Sequence, residues 1–261
     1  MLNKVLIITG MHRSGTSLVS EYLHHCGLHI GDDLIECNSI SPMSAYNGHH
    51  EDRDFSEFHC QILKRELAHE KVYRFPTDES KLLIKITHEE EKQAFELLAF
   101  KRHLPQWGWK DPHTVLFLDF WQKKIKNAYY LFLYRQPLLV VDSLLRRGTD
   151  SPILREPIIG LKTWKIYNQE ILSFVNKNKN RCLIYDIDTI IKNPYMILEK
   201  IYSNFGIKLY QANFMEKFSP AALKSEAFHS LDNLKDKYEA EVADSQNLYQ
   251  QLQAASSQTT I

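Results

Sequence analysis

A surplus of charge of either sign, cysteine and long apolar runs are all scarce in this sequence, and each scarcity removes a class of protein. The 32 basic side chains are matched by 32 acidic ones in 261 residues. With no surplus, a broad surface for nucleic acid or anionic membrane is not expected. No run of about eighteen apolar residues occurs, and the N-terminus reads as a strand rather than a basic and apolar leader. The expectation is a cytoplasmic protein with no integral membrane segment. Cys26, Cys37, Cys60 and Cys182 are the only cysteines. They lie far apart without a paired knuckle, which fits reduced core thiols and no metal site. The pairs His24-His25 and His49-His50 lack the offset and companion ligands of a zinc site. No internal repeat is present.

Glycine is thin too, nine in the whole chain, so two of them close together carry information. Lys4 to Thr9 is a short β-branched apolar run, a buried strand that Gly10 ends. From Gly15 onward Leu18, Val19, Tyr22, Leu23 and Cys26 recur at helical steps, and Gly27 suits the cap. Gly10, four residues, Gly15, Thr16 and Ser17 nearly reproduce the P-loop spacing, in which backbone N–H groups and a helix N-terminus hold phosphate oxygens. One position departs from it. Thr16 stands where a lysine reads the terminal phosphates of a nucleoside triphosphate, and Arg13 is the only fixed cation in the loop. The alternative is an ordinary strand-turn-helix corner made tight by glycine.

The stretch 28–51, rich in Gly, Ser, Asn and Asp, reads as a long loop beside that corner. Phe55, Phe58, Ile62, Leu63 and Leu67 mark a helix over 52–69, and a second runs from about Glu89 to Arg102. WGWKDPH then joins an aromatic strand to a helix with Pro112 in its first turn. Ala128 to Tyr134 is the next buried strand. It ends in Arg135, a cation that costs desolvation unless an anion awaits it, and Ser143 follows two turns into the next helix. A helix over 161–175, a strand over 181–185 and a further turn and helix complete the pattern. Strands alternating with helices predict an α/β fold, a three-layer α/β/α sandwich with a mostly parallel sheet, nucleotide-binding and P-loop-like. At 261 residues the chain suits one large domain, about 1–230, with an appendage at 231–261. Leu231, Leu234, Tyr238, Leu248, Leu252 and Ala255 give that tail a weak heptad trace, so it packs back or self-associates, before a disordered SSQTTI end.

GMHRSGTS, NGHHEDRDF, WGWKDPH and YRQPLLVVDS, in that order, with YDIDTIIKNP as a weaker fifth, together resemble a bacterial P-loop sulfotransferase. That family uses 3′-phosphoadenosine 5′-phosphosulfate (PAPS) as donor and releases adenosine 3′,5′-bisphosphate (PAP). The resemblance runs from about Leu2 to Leu223. It implies that Arg13, Ser14, Gly15, Thr16 and Ser17 cradle the 5′-phosphosulfate, that Arg135 and Ser143 hold the 3′-phosphate, and that Tyr185 lies toward the adenine. No metal is implied, and the acceptor is a small molecule or glycan, with carbohydrate and glycolipid favoured by the resemblance alone.

Sulfuryl transfer needs in-line positioning and charge stabilisation. Arg13 and Lys110 are the candidates to stabilise the leaving phosphate. Glu51 is the first candidate for the base and His113 the second. Glu51 read blandly is a carboxylate complementing a helix N-terminus. Lys85-Ile86-Thr87-His88 echoes a catalytic triplet of animal relatives with one residue too many, and Thr87 reads as a helix cap. Two rivals remain: a P-loop kinase of small molecules, disfavoured by Thr16 and Arg135, and a nucleotide-binding adaptor without chemistry.

Overall fold

The computed structural model describes residues 3–35, 50–68, 74–78, 84–148, 151–214 and 231–258. Cys37 and His49, the first three residues of NGHHEDRDF, and most of the loop expected beside the glycine corner lie outside them.

Alternation along the central strands builds the two faces of the sheet. In β1 (Lys4–Thr9) Val5 and Ile7 point to one face and Leu6 and Ile8 to the other, all but fully buried. β3 (Ala128–Tyr134) and β4 (Cys182–Asp186) divide in the same way, Tyr130, Phe132 and Ile184 against Leu131, Leu133, Leu183 and Tyr185. Strands buried on both sides are what a parallel sheet under two helical layers requires. β2 (Gln106–Lys110) completes it, and the order is β2-β1-β3-β4 with every pairing parallel. The α/β sandwich expected from the sequence is the one found.

One face is aliphatic and carries α1 (Thr16–His25), α8 (Ile187–Lys192) and α9 (Pro194–Phe205). The other is aromatic. There α2 (Arg53–Glu66) stacks Phe55 on Trp109 with centroids 4.2 Å apart. A 3-10 helix (Pro112–Phe117, 6 residues) leads into α4 (Leu118–Lys124) on the same face, so the helix expected to hold Pro112 in its first turn begins only after that segment. α3 (His88–Phe100) begins at Thr87, whose hydroxyl accepts from the Glu90 N–H while the Glu90 carboxylate accepts from the Thr87 N–H. That is a capping box, and it gives Thr87 its structural role.

α5 (Pro137–Arg147), the short α6 (Ser151–Arg155) and α7 (Ile158–Lys177) follow β3. The polar tail forms α10 (Asp232–Lys237) and α11 (Glu239–Gln258), so its helix continues into the SSQTTI stretch. α11 lies against α7 and β4, and its Leu248, Leu252 and Ala255 join the aromatic core. The apolar trace that invited self-association is therefore spent inside the chain.

Candidate active site

All four strands deliver their carboxyl ends to one edge, where loops of an open parallel sheet bind ligands. Register places Ile8 beside Lys110 and Tyr134 beside Asp186. Thr9 pins two of the ends together, its hydroxyl donating to the Asp111 carbonyl at 2.8 Å.

The loop between β1 and α1 is shaped by backbone conformations that few residues accept. Gly15 has φ 86°, and a Cβ there would lie 2.4 Å from the Ile187 side chain; one on Gly10 would lie 2.1 Å from the Leu133 carbonyl oxygen. Arg13 adopts φ 69° without being glycine. That costs of order 1–3 kcal/mol and collects at ligand sites. α1 opens on Gly15 with no side-chain cap and no acidic residue in its first turn. Its leading N–H groups are thus left for an anion. Ser14 is fully buried, and its hydroxyl has no hydrogen-bond partner. A buried hydroxyl of this kind costs about 1–3 kcal/mol unless a ligand satisfies it. The residues here fit a phosphate-type group. Thr16 is buried beside Ser14, and Ser17 is half-buried.

Ser143, expected to act with Arg135, also meets the loop directly. Arg13 reaches across and donates from Nε to Ser143 Oγ at 2.9 Å. Arg135, 2% exposed, follows the end of β3, with its backbone carbonyl held by the Trp164 indole at 2.9 Å. Burial pushes the Arg135 guanidinium below its ordinary value, against the pull of Asp188 and Asp186. Tyr185 is buried in the aliphatic core and lines a cavity of about 400 Å³ together with Tyr134, Asp188 and Tyr249.

Of the acid–base candidates, Glu51 and Lys110 meet each other. Lys110 Nζ donates to Glu51 Oε1 at 2.7 Å, with the lysine side chain 1% exposed. His113 bonds a different partner. Its Nδ1 is 3.0 Å from Asp111 Oδ1, its backbone N–H donates to the same oxygen, and its Nε2 has no partner. His12, from the phosphate loop, packs edge-on against it with centroids 4.8 Å apart. Burial, then the neighbouring His113 and Arg147, hold His12 well below its ordinary value, so it is neutral.

Sequence reasoning missed the group behind Asp111. His59 Nδ1 lies 2.6 Å from Asp111 Oδ2, and Trp121 Nε1 donates to His59 Nε2 at 2.8 Å. The only trace in the sequence is a histidine on the apolar face of α2, a position that ordinarily reads as core. Among the described residues there is no cluster of three or more His, Cys, Asp or Glu side chains able to hold a metal, and no helix long and apolar enough to cross a membrane.

A parallel sheet with a tight, uncapped glycine loop after its first strand, an arginine of that loop bonded to Ser143, and Arg135 buried after β3 define an α/β protein of P-loop-like build. A family model described as "Sulfotransferase family" matches residues 6–211, and the chain belongs to that family. Among solved structures, the sulfotransferase domain of the Synechococcus PCC 7002 olefin synthase is similar at 15% identity and TM-score 0.52, covering 97% of this chain and 95% of that one. The sulfotransferase domain from the curacin biosynthetic pathway matches at 18% identity and TM-score 0.49, covering 97% and 98%. The first of these likenesses shows the fold. No curated protein matches the chain.

Proposed function

We propose that the protein moves a sulfuryl group from PAPS to a hydroxyl of a small molecule or glycan, carbohydrate or glycolipid among them, in the cytoplasm, and releases PAP. The observation that carries this reading is the pairing of two cationic features at one edge: the strained, uncapped phosphate loop whose Arg13 bonds Ser143, and Arg135 buried after the neighbouring strand. A donor with separate 5′ and 3′ anions fits both. A kinase reading is less well supported, because β3 is followed by an arginine in place of a magnesium-holding carboxylate.

In the proposed reaction the acceptor oxygen bonds to sulfur, the bond from sulfur to the 5′-phosphate oxygen breaks, and the acceptor proton goes to a base. Negative charge collects on the leaving phosphate, where the loop N–H groups, Arg13 and Lys110 stabilise it. We assign the proton to Nε2 of His113, supported by its unpartnered lone pair and by the Asp111 carboxylate on Nδ1. Glu51, held by Lys110, is assigned to orienting that lysine. Calorimetry tests the donor: PAP should bind tightly without magnesium, and ATP with magnesium should bind weakly. Labelled PAPS with a panel of sugars, lipids and alcohols tests transfer. His113→Ala should lower turnover about a hundredfold or more, and Glu51→Gln less. The reverse order would return the base to Glu51.

A further inference from the structure

We propose that His59 and Trp121 are positioning residues, which fix the tautomer of His113 through Asp111. The proposal rests on the reading that His113 takes the acceptor's proton, and it concerns two residues which that reading does not use.

An indole N–H can only donate. Since Trp121 Nε1 lies 2.8 Å from His59 Nε2, that nitrogen must present its lone pair. Burial is the largest influence on His59 and lowers its proton affinity despite Asp111, so the ring is neutral. Its single proton is then on Nδ1, directed at Asp111 Oδ2 over 2.6 Å. Asp111 is pushed up by burial, but the hydrogen bonds from His113 and His59 act against that, and it stays ionised well below its ordinary value. An ionised carboxylate only accepts. His113 must therefore also carry its proton on Nδ1, 3.0 Å from Asp111 Oδ1, which leaves the Nε2 lone pair for a substrate proton. The side chains of His59 and Asp111 are 0% exposed and that of His113 is 3% exposed, and Trp121 is fully buried, so water cannot substitute for any link. One donor that cannot reverse and one carboxylate that only accepts set the direction of the row between them.

Reversing either imidazole would face two donors or two acceptors across a buried contact. Trp121→Phe keeps the ring and removes only that donor. In this variant no donor keeps a second proton off His59 Nε2, so the ring can become an imidazolium on Asp111 Oδ2, and the carboxylate, its charge partly neutralised, holds the His113 Nδ1 proton less strongly. Nitrogen-15 chemical shifts of the His113 ring read the tautomer directly, without substrate. In the parent they should report a proton on Nδ1 alone, and in Trp121→Phe a mixture.

Turnover should fall about tenfold in Trp121→Phe with KM for the donor unchanged, and the same substitution should cost nothing further in a His113→Ala background. His59→Asn, which retains an N–H for Asp111, should keep turnover within about threefold, whereas His59→Leu should not. A His113 tautomer unchanged in Trp121→Phe overturns the proposal. So does an equal loss of turnover with and without His113, which would make Trp121 a packing residue only. If the tautomer shifts while His113→Ala turns over like the parent, the positioning row stands and the assignment of His113 as base falls.

Discussion

Asp111 and Asp186 stand in the same local setting at two strand ends of one sheet, and they end in opposite states. Each is buried and each caps the helix that follows, Asp111 accepting from the His113 N–H and Asp186 from the Asp188 N–H. What differs is the third partner. Asp111 receives two imidazole N–H groups and stays ionised well below its ordinary value, although burial opposes this. Asp186 receives one phenol, Tyr249 Oη, at 2.6 Å, and burial wins: its carboxyl is pushed up. The backbone motif supplies a buried carboxylate in both places. Long-range partners turn one into an ionised acceptor shared by two imidazoles and the other into an anchor for α11.

The sharpest way to break this contrast is Asp111→Asn, which keeps the cap and the shape while removing the charge that fixes His113. An amide offers a donor where His113 and His59 need acceptors. Turnover should fall by about a thousandfold or more, in the range seen when the aspartate of a Ser-His-Asp triad becomes an amide, with PAP affinity within about twofold of the parent. Turnover close to the parent's would make Asp111 a cap and nothing more.

The next largest effect is expected in the donor half of the site. Arg135→Ala should weaken PAP binding by roughly tenfold to a hundredfold, the equivalent of about 1.5–3 kcal/mol for a charge-assisted contact. Melting should be little changed, since burying the guanidinium costs desolvation that offsets its attraction to Asp188 and Asp186. Unchanged affinity in a well-folded variant would remove Arg135 from the donor site.

The two halves of the site also differed in how far the sequence disclosed them. The phosphate loop was legible because its demands are local: positive φ and close backbone approach at Gly10 and Gly15 leave glycines at a fixed spacing. Arg135 was legible because a cation closing an apolar strand is conspicuous within seven residues. His59 was not, since its meaning depends on Asp111, 52 positions away, and on Trp121, 62 positions away. On α2 it sits among Phe55, Phe58 and Ile62, and nothing in a 3.6-residue period separates a packed ring from a bonded one. Glu51 and Lys110 were each named, but their contact across 59 positions was not. Spacing discloses what one segment does to its own backbone and is silent on which side chains two segments bring together.

Acid provides a weaker but independent probe of the same row. His12 and His59 are lowered by burial from the ordinary value of 6.5, so the folded chain refuses protons that the unfolded chain accepts. Their contribution is complete above pH 6.5 and is lost as the pH falls through and below it, at up to about 1.4 kcal/mol per pH unit for a fully excluded proton. Thermal melts between pH 7.5 and 5 should show this decline, and His59→Asn should make it shallower. Asp111, lowered from 3.8, adds a further loss only below that value. A decline as steep in His59→Asn as in the parent would show that the ring is charged in the fold.

Tyr249→Phe should produce the smallest effect, and its sign distinguishes the second aspartate from the first. The substitution removes the hydroxyl that donates to Asp186 Oδ2 and leaves the aromatic packing against Tyr134 in place. A buried carboxylate losing one donor costs about 1–3 kcal/mol, and here α11 is the element released. Because Asp186 is raised above 3.8, its linkage runs opposite to that of Asp111. The contribution is present below 3.8 and is lost as the pH rises through the folded value. Tyr249 opposes that rise by bonding the ionised form. Without it the penalty should be largest at neutral pH and should narrow as the pH falls and Asp186 takes up its proton. Asp186 also caps α8, whose Ile187 packs under Gly15, so a slight weakening of PAP binding should accompany the lower melting temperature. Turnover at saturating donor should hold. Equal destabilisation at pH 7 and pH 4 would mean that Tyr249 acts by packing alone, and a loss of turnover comparable to Asp111→Asn would place both aspartates in the same chemical role.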